Sequence, residues 1–86
     1  MKKRFAISFE LDDNRRYDTL VLRLRHLGAV PVLPTQWILL TSLTIDEIKR
    51  DLQTHIDTTD RILVTQVASM SFRNLINDDK LRRGAA

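Results

Sequence analysis

The apolar residues of this chain run twice through one cycle of spacings, strand then helix then strand, and no other sequence feature limits the fold as much. Phe5, Ile7 and Phe9 alternate with Ala6 and Ser8, the two-residue period of a half-buried strand over 5–9. Asp12, Asp13 and Asn14 break that pattern with turn and N-cap residues. Tyr17, Leu20, Val21, Leu24 and Leu27 then recur at helical spacing, which predicts a helix from about Arg15 to Leu27. Gly28 is placed to end it in the left-handed conformation, and Ala29 to Leu33 reads as a short strand that Pro31 confines to an edge or an irregular pairing. The second cycle starts at Gln36 to Thr41, where Trp37, Ile38, Leu39 and Leu40 are so continuously apolar that both strand faces need cover. Thr44, with Glu47 three residues on, forms a capping box. It opens a helix to about His55 with Ile45, Ile48, Leu52 and Ile56 along one side. After the polar turn Asp57 to Asp60, Arg61 to Val67 is the fourth strand.

The order βαββαβ predicts an α+β, ferredoxin-like domain over 1–68, a four-stranded antiparallel sheet with two helices on one face. Residues 69–86 are a C-terminal tail in which Met70, Phe72, Leu75 and Ile76 are able to dock on the sheet or on a dimer partner, with 77–86 as a mobile end. The strands are apolar on both faces, so the face without helices calls for a cover. A second copy of the chain supplies one by two-fold symmetry, which predicts a homodimer; the tail folding back in cis is the alternative. The hydrophobic content, 43%, points the same way. A domain this small buries only about 60% of the surface its unfolded chain exposes, so surplus apolar residues imply a partner.

There are no cysteines, which excludes disulfides and thiolate metal sites and is compatible with a cytoplasmic location. Nothing resembles a signal peptide or a membrane span, so a soluble protein with no membrane partner is expected. The net charge of +3 is unevenly spread. Residues 1–28 hold seven Lys or Arg against four Asp or Glu, and 61–86 hold five against two, whereas 29–60 hold two against five. Such segregation favours a polyanion on one side of the molecule.

The segment Phe5-Ala-Ile-Ser-Phe-Glu-Leu-Asp-Asp-Asn-Arg-Arg resembles the opening of the CRISPR-associated protein two family, the small central subunit of the spacer-integration complex. The similarity continues through Leu24 to Gly28, Thr35-Gln-Trp-Ile and Asp60-Arg-Ile-Leu-Val, and covers roughly residues 5 to 67. The chain looks closer still to the stand-alone branch of that superfamily, akin to the virulence-associated protein D toxins. The resemblance implies a ferredoxin-like homodimer that binds duplex DNA or RNA. It also implies, for some members, a metal-dependent nuclease and, as partner, a CRISPR-type integrase or another defence protein. At the position of the family's strand-end aspartate this chain has Glu10, one methylene longer.

Magnesium is held by one or two carboxylates and several waters, so Glu10 from each of two chains could hold one Mg²⁺ at the dimer axis and activate water on a phosphodiester. Asp12 and Asp13 are candidate outer ligands; alternatively one of them caps the first helix, and Glu10 is a solvated strand end or pairs with an arginine. Arg15 and Arg16 open that helix, where the macrodipole disfavours cations, and a bound phosphate would account for them. Arg23, and His26 beyond it, extend the same face; Lys80, Arg82 and Arg83 form a second basic cluster. Tyr17 and Trp37 read as core, and His26 and His55 have no third ligand spaced for zinc. Three functions remain open: a nucleic-acid-binding dimer, a Glu10-dependent nuclease of DNA or RNA, and a protein-interaction subunit.

Overall fold

A computed structural model of the chain describes residues 1–13 and 15–82. The elements are β1 (Lys3–Glu10), α1 (Arg15–Leu27), β2 (Val30–Leu33), β3 (Gln36–Thr41), α2 (Ile45–Gln53), β4 (Arg61–Gln66) and a short α3 (Asp78–Arg82). The strands form one sheet in the order β2-β3-β1-β4, every neighbouring pair antiparallel. This is the ferredoxin-like α+β plan expected from the two spacing cycles. Among the described residues no helix is long and apolar enough to cross a membrane.

Local chemistry explains where the elements stop. Gly28 takes φ +93°, and the N–H groups of Gly28 and Ala29 donate to the carbonyls of Arg25 and Leu24, both at 3.0 Å. That pair of bonds satisfies carbonyls the helix end would otherwise orphan. The capping box of α2 is formed in both directions, Glu47 N–H to Thr44 Oγ1 at 3.1 Å and Thr44 N–H to Glu47 Oε1 at 2.9 Å. The helix stops at Gln53, short of His55, because the Thr54 hydroxyl turns back to donate to the Asp51 carbonyl at 2.7 Å.

Alternation in the sheet divides the core in two. Phe5, Ile7, Phe9, Trp37 and Leu39 face the helices, where Leu20 and Leu24 of α1 and Ile48 and Leu52 of α2 meet them. Trp37 is therefore core, and Tyr17 lies at its margin, its hydroxyl accepting from the Leu11 N–H at 3.0 Å. On the opposite face Ala6, Val32 and Ile38 are buried under the chain that follows β4: Val67, Met70, Phe72, Leu75 and the buried Leu81. The tail thus covers part of its own sheet in cis. Two details differ from the sequence reading. Ile76 is 47% exposed, its backbone rather than its side chain making the contact, and Leu81, expected in a loose end, is a core residue.

Candidate nucleic-acid interface

The C-terminal end of β1, the first turn of α1 and the start of β4 meet at one corner, because β1 and β4 are antiparallel neighbours with Glu10 opposite Arg61. Asp60 is the centre of this corner. Its carboxylate accepts from Arg16 twice, Nε to Oδ2 at 2.9 Å and Nη2 to Oδ1 at 3.0 Å. It also accepts from the backbone N–H groups of Asp12 and Asp57, each at 2.8 Å. The side chain is 0% exposed. Four donors on one carboxylate hold Asp60 far below the usual carboxylate range, the Arg16 fork being the largest cause. The same fork raises Arg16 above its ordinary value. Arg16 is thus a fastener between α1 and the turn before β4, with its guanidinium committed to a carboxylate 44 residues away.

Glu10 and Arg61 form the contrasting pair, Arg61 Nη1 to Glu10 Oε1 at 2.6 Å with side chains 82% and 69% exposed. Asp13 turns to α1: it accepts the Arg15 N–H at 2.9 Å and the Arg15 guanidinium at 3.0 and 3.3 Å, which lowers its pKa. This is the capping role, and it leaves Arg15 91% exposed at the helix start. Asp12 is also exposed. The three carboxylates therefore do not converge within one chain: Asp13 is turned toward Arg15, and one oxygen of Glu10 is held by Arg61. Among the described residues no three His, Cys, Asp or Glu side chains group closely enough to hold a metal ion, so Mg²⁺ would have to draw further ligands from a second chain or from the nucleic acid.

Arg23 is engaged in the same way as Arg16. Its Nε donates to Asp51 Oδ1 at 2.7 Å and its Nη2 to the other oxygen, lowering Asp51 and raising Arg23. His55 Nε2 lies 4.0 Å from the same carboxylate, and His26 lines a shallow pocket with His55, Arg23, Thr19 and Leu22. The two histidines, remote in sequence, are thus neighbours across one pocket. Lys80 lies exposed on α3; the Arg82 side chain and Arg83 fall outside the described residues. Sequence reasoning passed over Lys2, Lys3, Arg25, Lys49 and Arg73. Like Lys80, they are exposed and make no ion pair or side-chain hydrogen bond among the described residues. For Lys2, Lys3, Arg25 and Arg73 the lack of an acid at helical or cross-strand spacing could have marked them; Lys49 has Asp46 three residues before it on α2, and only the structure shows that the two do not pair.

No protein-family model matches the chain. No curated protein matches it either. Among solved structures it is similar to a hypothetical protein, TT1823, from Thermus thermophilus, with a TM-score of 0.74 and 15% identity over 88% of this chain and 96% of that one. At that identity the likeness bears on the fold alone.

Proposed function

We propose that this protein binds the phosphate backbone of DNA or RNA, and that it does so as a homodimer. The observation that carries the reading is how the charges are partitioned. Arg16 and Arg23 are matched by carboxylates inside the fold and Arg15 and Arg61 only by pairs at the surface, while Lys2, Lys3, Arg25, Lys49, Arg73 and Lys80 stand exposed without one among the described residues. Matched pairs cancel at short range. The unmatched cations outnumber the exposed carboxylates of Asp12, Asp18 and Asp46, which also lack a partner among the described residues, and their net positive field, acting within about a Debye length of the surface, attracts a polyanion. The reading agrees with the resemblance carried by residues 5–67, and membership of the CRISPR-associated protein two superfamily, a cytoplasmic location and an integrase or other defence protein as partner belong to the same proposal.

Fluorescence anisotropy with labelled duplex DNA, duplex RNA and single strands, titrated with salt, tests it. Affinity should fall steeply with salt, with a log–log slope of about −0.9 per phosphate contacted on B-DNA. Replacing Lys2 and Lys3 together by Gln should flatten that slope by about 1 for each contact removed. Binding that ignores salt, or no binding, overturns the reading and favours a protein-interaction subunit. Cleavage in Mg²⁺ that Glu10→Ala abolishes, with the fold intact, would make the protein a nuclease.

A further inference from the structure

The two edges of the sheet are treated differently. At the β2 edge Pro31 has no N–H to offer, the pairing with β3 shifts register between Pro31 and Leu33, and the tail lies along the strand. There the Ile76 N–H donates to the Val32 carbonyl at 3.0 Å and the Asn77 side chain to the Pro31 carbonyl at 2.9 Å. These are the devices by which proteins stop a sheet edge from recruiting another strand. The β4 edge has none of them: Arg61–Gln66 contains no proline, no lysine and no register shift, and among the described residues no other backbone group bonds to its outer side.

The direction of its bonding groups follows from one contact. The Val67 N–H donates to the Arg4 carbonyl at 2.9 Å, which makes Arg4 and Val67 a hydrogen-bonded pair of the β1–β4 ladder. By alternation Thr65, Leu63 and Arg61 also bond inward to β1, so Ile62, Val64 and Gln66 direct their N–H and C=O groups outward. Leu63, on the face opposite the helices, is 60% exposed because the tail leaves this strand bare.

We infer that the β4 edge is the joint between two copies of this chain, paired antiparallel about a two-fold axis at Leu63. The inference rests on the homodimer of the proposed function and gives it a place. In this register Leu63 faces Leu63 of the second copy in a non-hydrogen-bonded pair, the closer of the two pair types. Ile62 and Val64 exchange backbone bonds with their counterparts, and Arg61 stands opposite Thr65, so no like charges meet. The sequence is self-complementary here in a way an arbitrary peptide strand is not. The sheet becomes eight-stranded with all helices on one face. The two Glu10 residues then lie about 20 Å apart by strand spacing and rise, too far to share one ion.

The absence of cysteine gives a clean test. Paired Cα atoms at the axis would be about 4.5 Å apart, within reach of a disulfide. Leu63→Cys should therefore oxidise to a covalent dimer in the native state, while Thr65→Cys, whose copies would sit on opposite sides of the axis, should not. Leu63→Lys, a change at an exposed position, should shift sedimentation from dimer to monomer with circular dichroism unchanged. A dimer by mass whose Leu63→Cys does not cross-link overturns this joint and leaves the homodimer standing elsewhere. Cross-linking of Thr65→Cys as readily as Leu63→Cys overturns the register. A monomer at every concentration overturns both the joint and the dimer, whereas nucleic-acid binding is decided separately by its salt slope.

Discussion

Arg16–Asp60 and Arg61–Glu10 are both arginine–carboxylate pairs at the same corner, on adjacent residues of the turn into β4, yet they do opposite things. The Asp60 side chain is wholly covered and accepts four hydrogen bonds, two of them from backbone groups. Glu10 is largely exposed and takes one bond from an arginine more exposed than itself. The first pair fixes where the β1–α1 loop, α1 and the turn before β4 sit relative to one another. The second costs little to break and presents a cation and an anion to solvent, so its charge is available to a ligand.

The comparison breaks if Asp60→Ala is tolerated. Removing that carboxylate orphans the Asp12 and Asp57 N–H groups and leaves Arg16 unpaired, so the urea midpoint should fall severalfold further than for Glu10→Ala. Acid should act in the same sense. Asp60, Asp51 and Asp13 all have folded pKa values depressed by their arginine partners, so they add stability above the ordinary carboxylate range and lose it as pH falls through their lowered values. Thermal scans should show the melting temperature dropping below about pH 4, and Asp60→Asn should blunt that drop. Thr44→Ala, which removes one half of the capping box, should cost about 1 kcal/mol, a scale between the two pairs. Smallest in stability is Glu10→Ala, within about 0.5 kcal/mol of the parent, as for other exposed ion pairs. Its effect belongs to binding. Freed of Glu10, Arg61 should tighten phosphate contact, and Arg61→Ala should loosen it.

Strands and helices were legible because each is a one-dimensional period; β3 and α1 fall where the apolar spacing puts them, and the Thr44–Glu47 box and Gly28 mark their own ends. Arg16 was not legible in that way. Its position in the first turn of a helix, where cations are disfavoured, correctly signals a strong anion nearby, but spacing alone cannot distinguish an internal carboxylate from a bound phosphate. The answer lies 44 residues away in Asp60, visible only once β1 and β4 are side by side. Arg23 and Asp51 repeat the case across two helices. Glu10 could be read as exposed from its place at a strand end, although its cross-strand partner could not. His26 and His55 were separated by the sequence and joined by the fold.

The tail carries a consequence for where this protein can be cut. A boundary at residue 68 follows the last strand, but it divides a surface from its lining: Ala6, Val32 and Ile38 depend on Met70, Phe72, Leu75 and Leu81 for shelter. The same stretch supplies the Ile76 bond that quiets the β2 edge. A chain ending at Ala68 would keep every strand and both long helices and yet have two adhesive edges and a bare greasy stripe, a body more prone than the full chain to stack edge to edge into fibres. What looks like an appendage is the element that closes one border of the sheet to further strands.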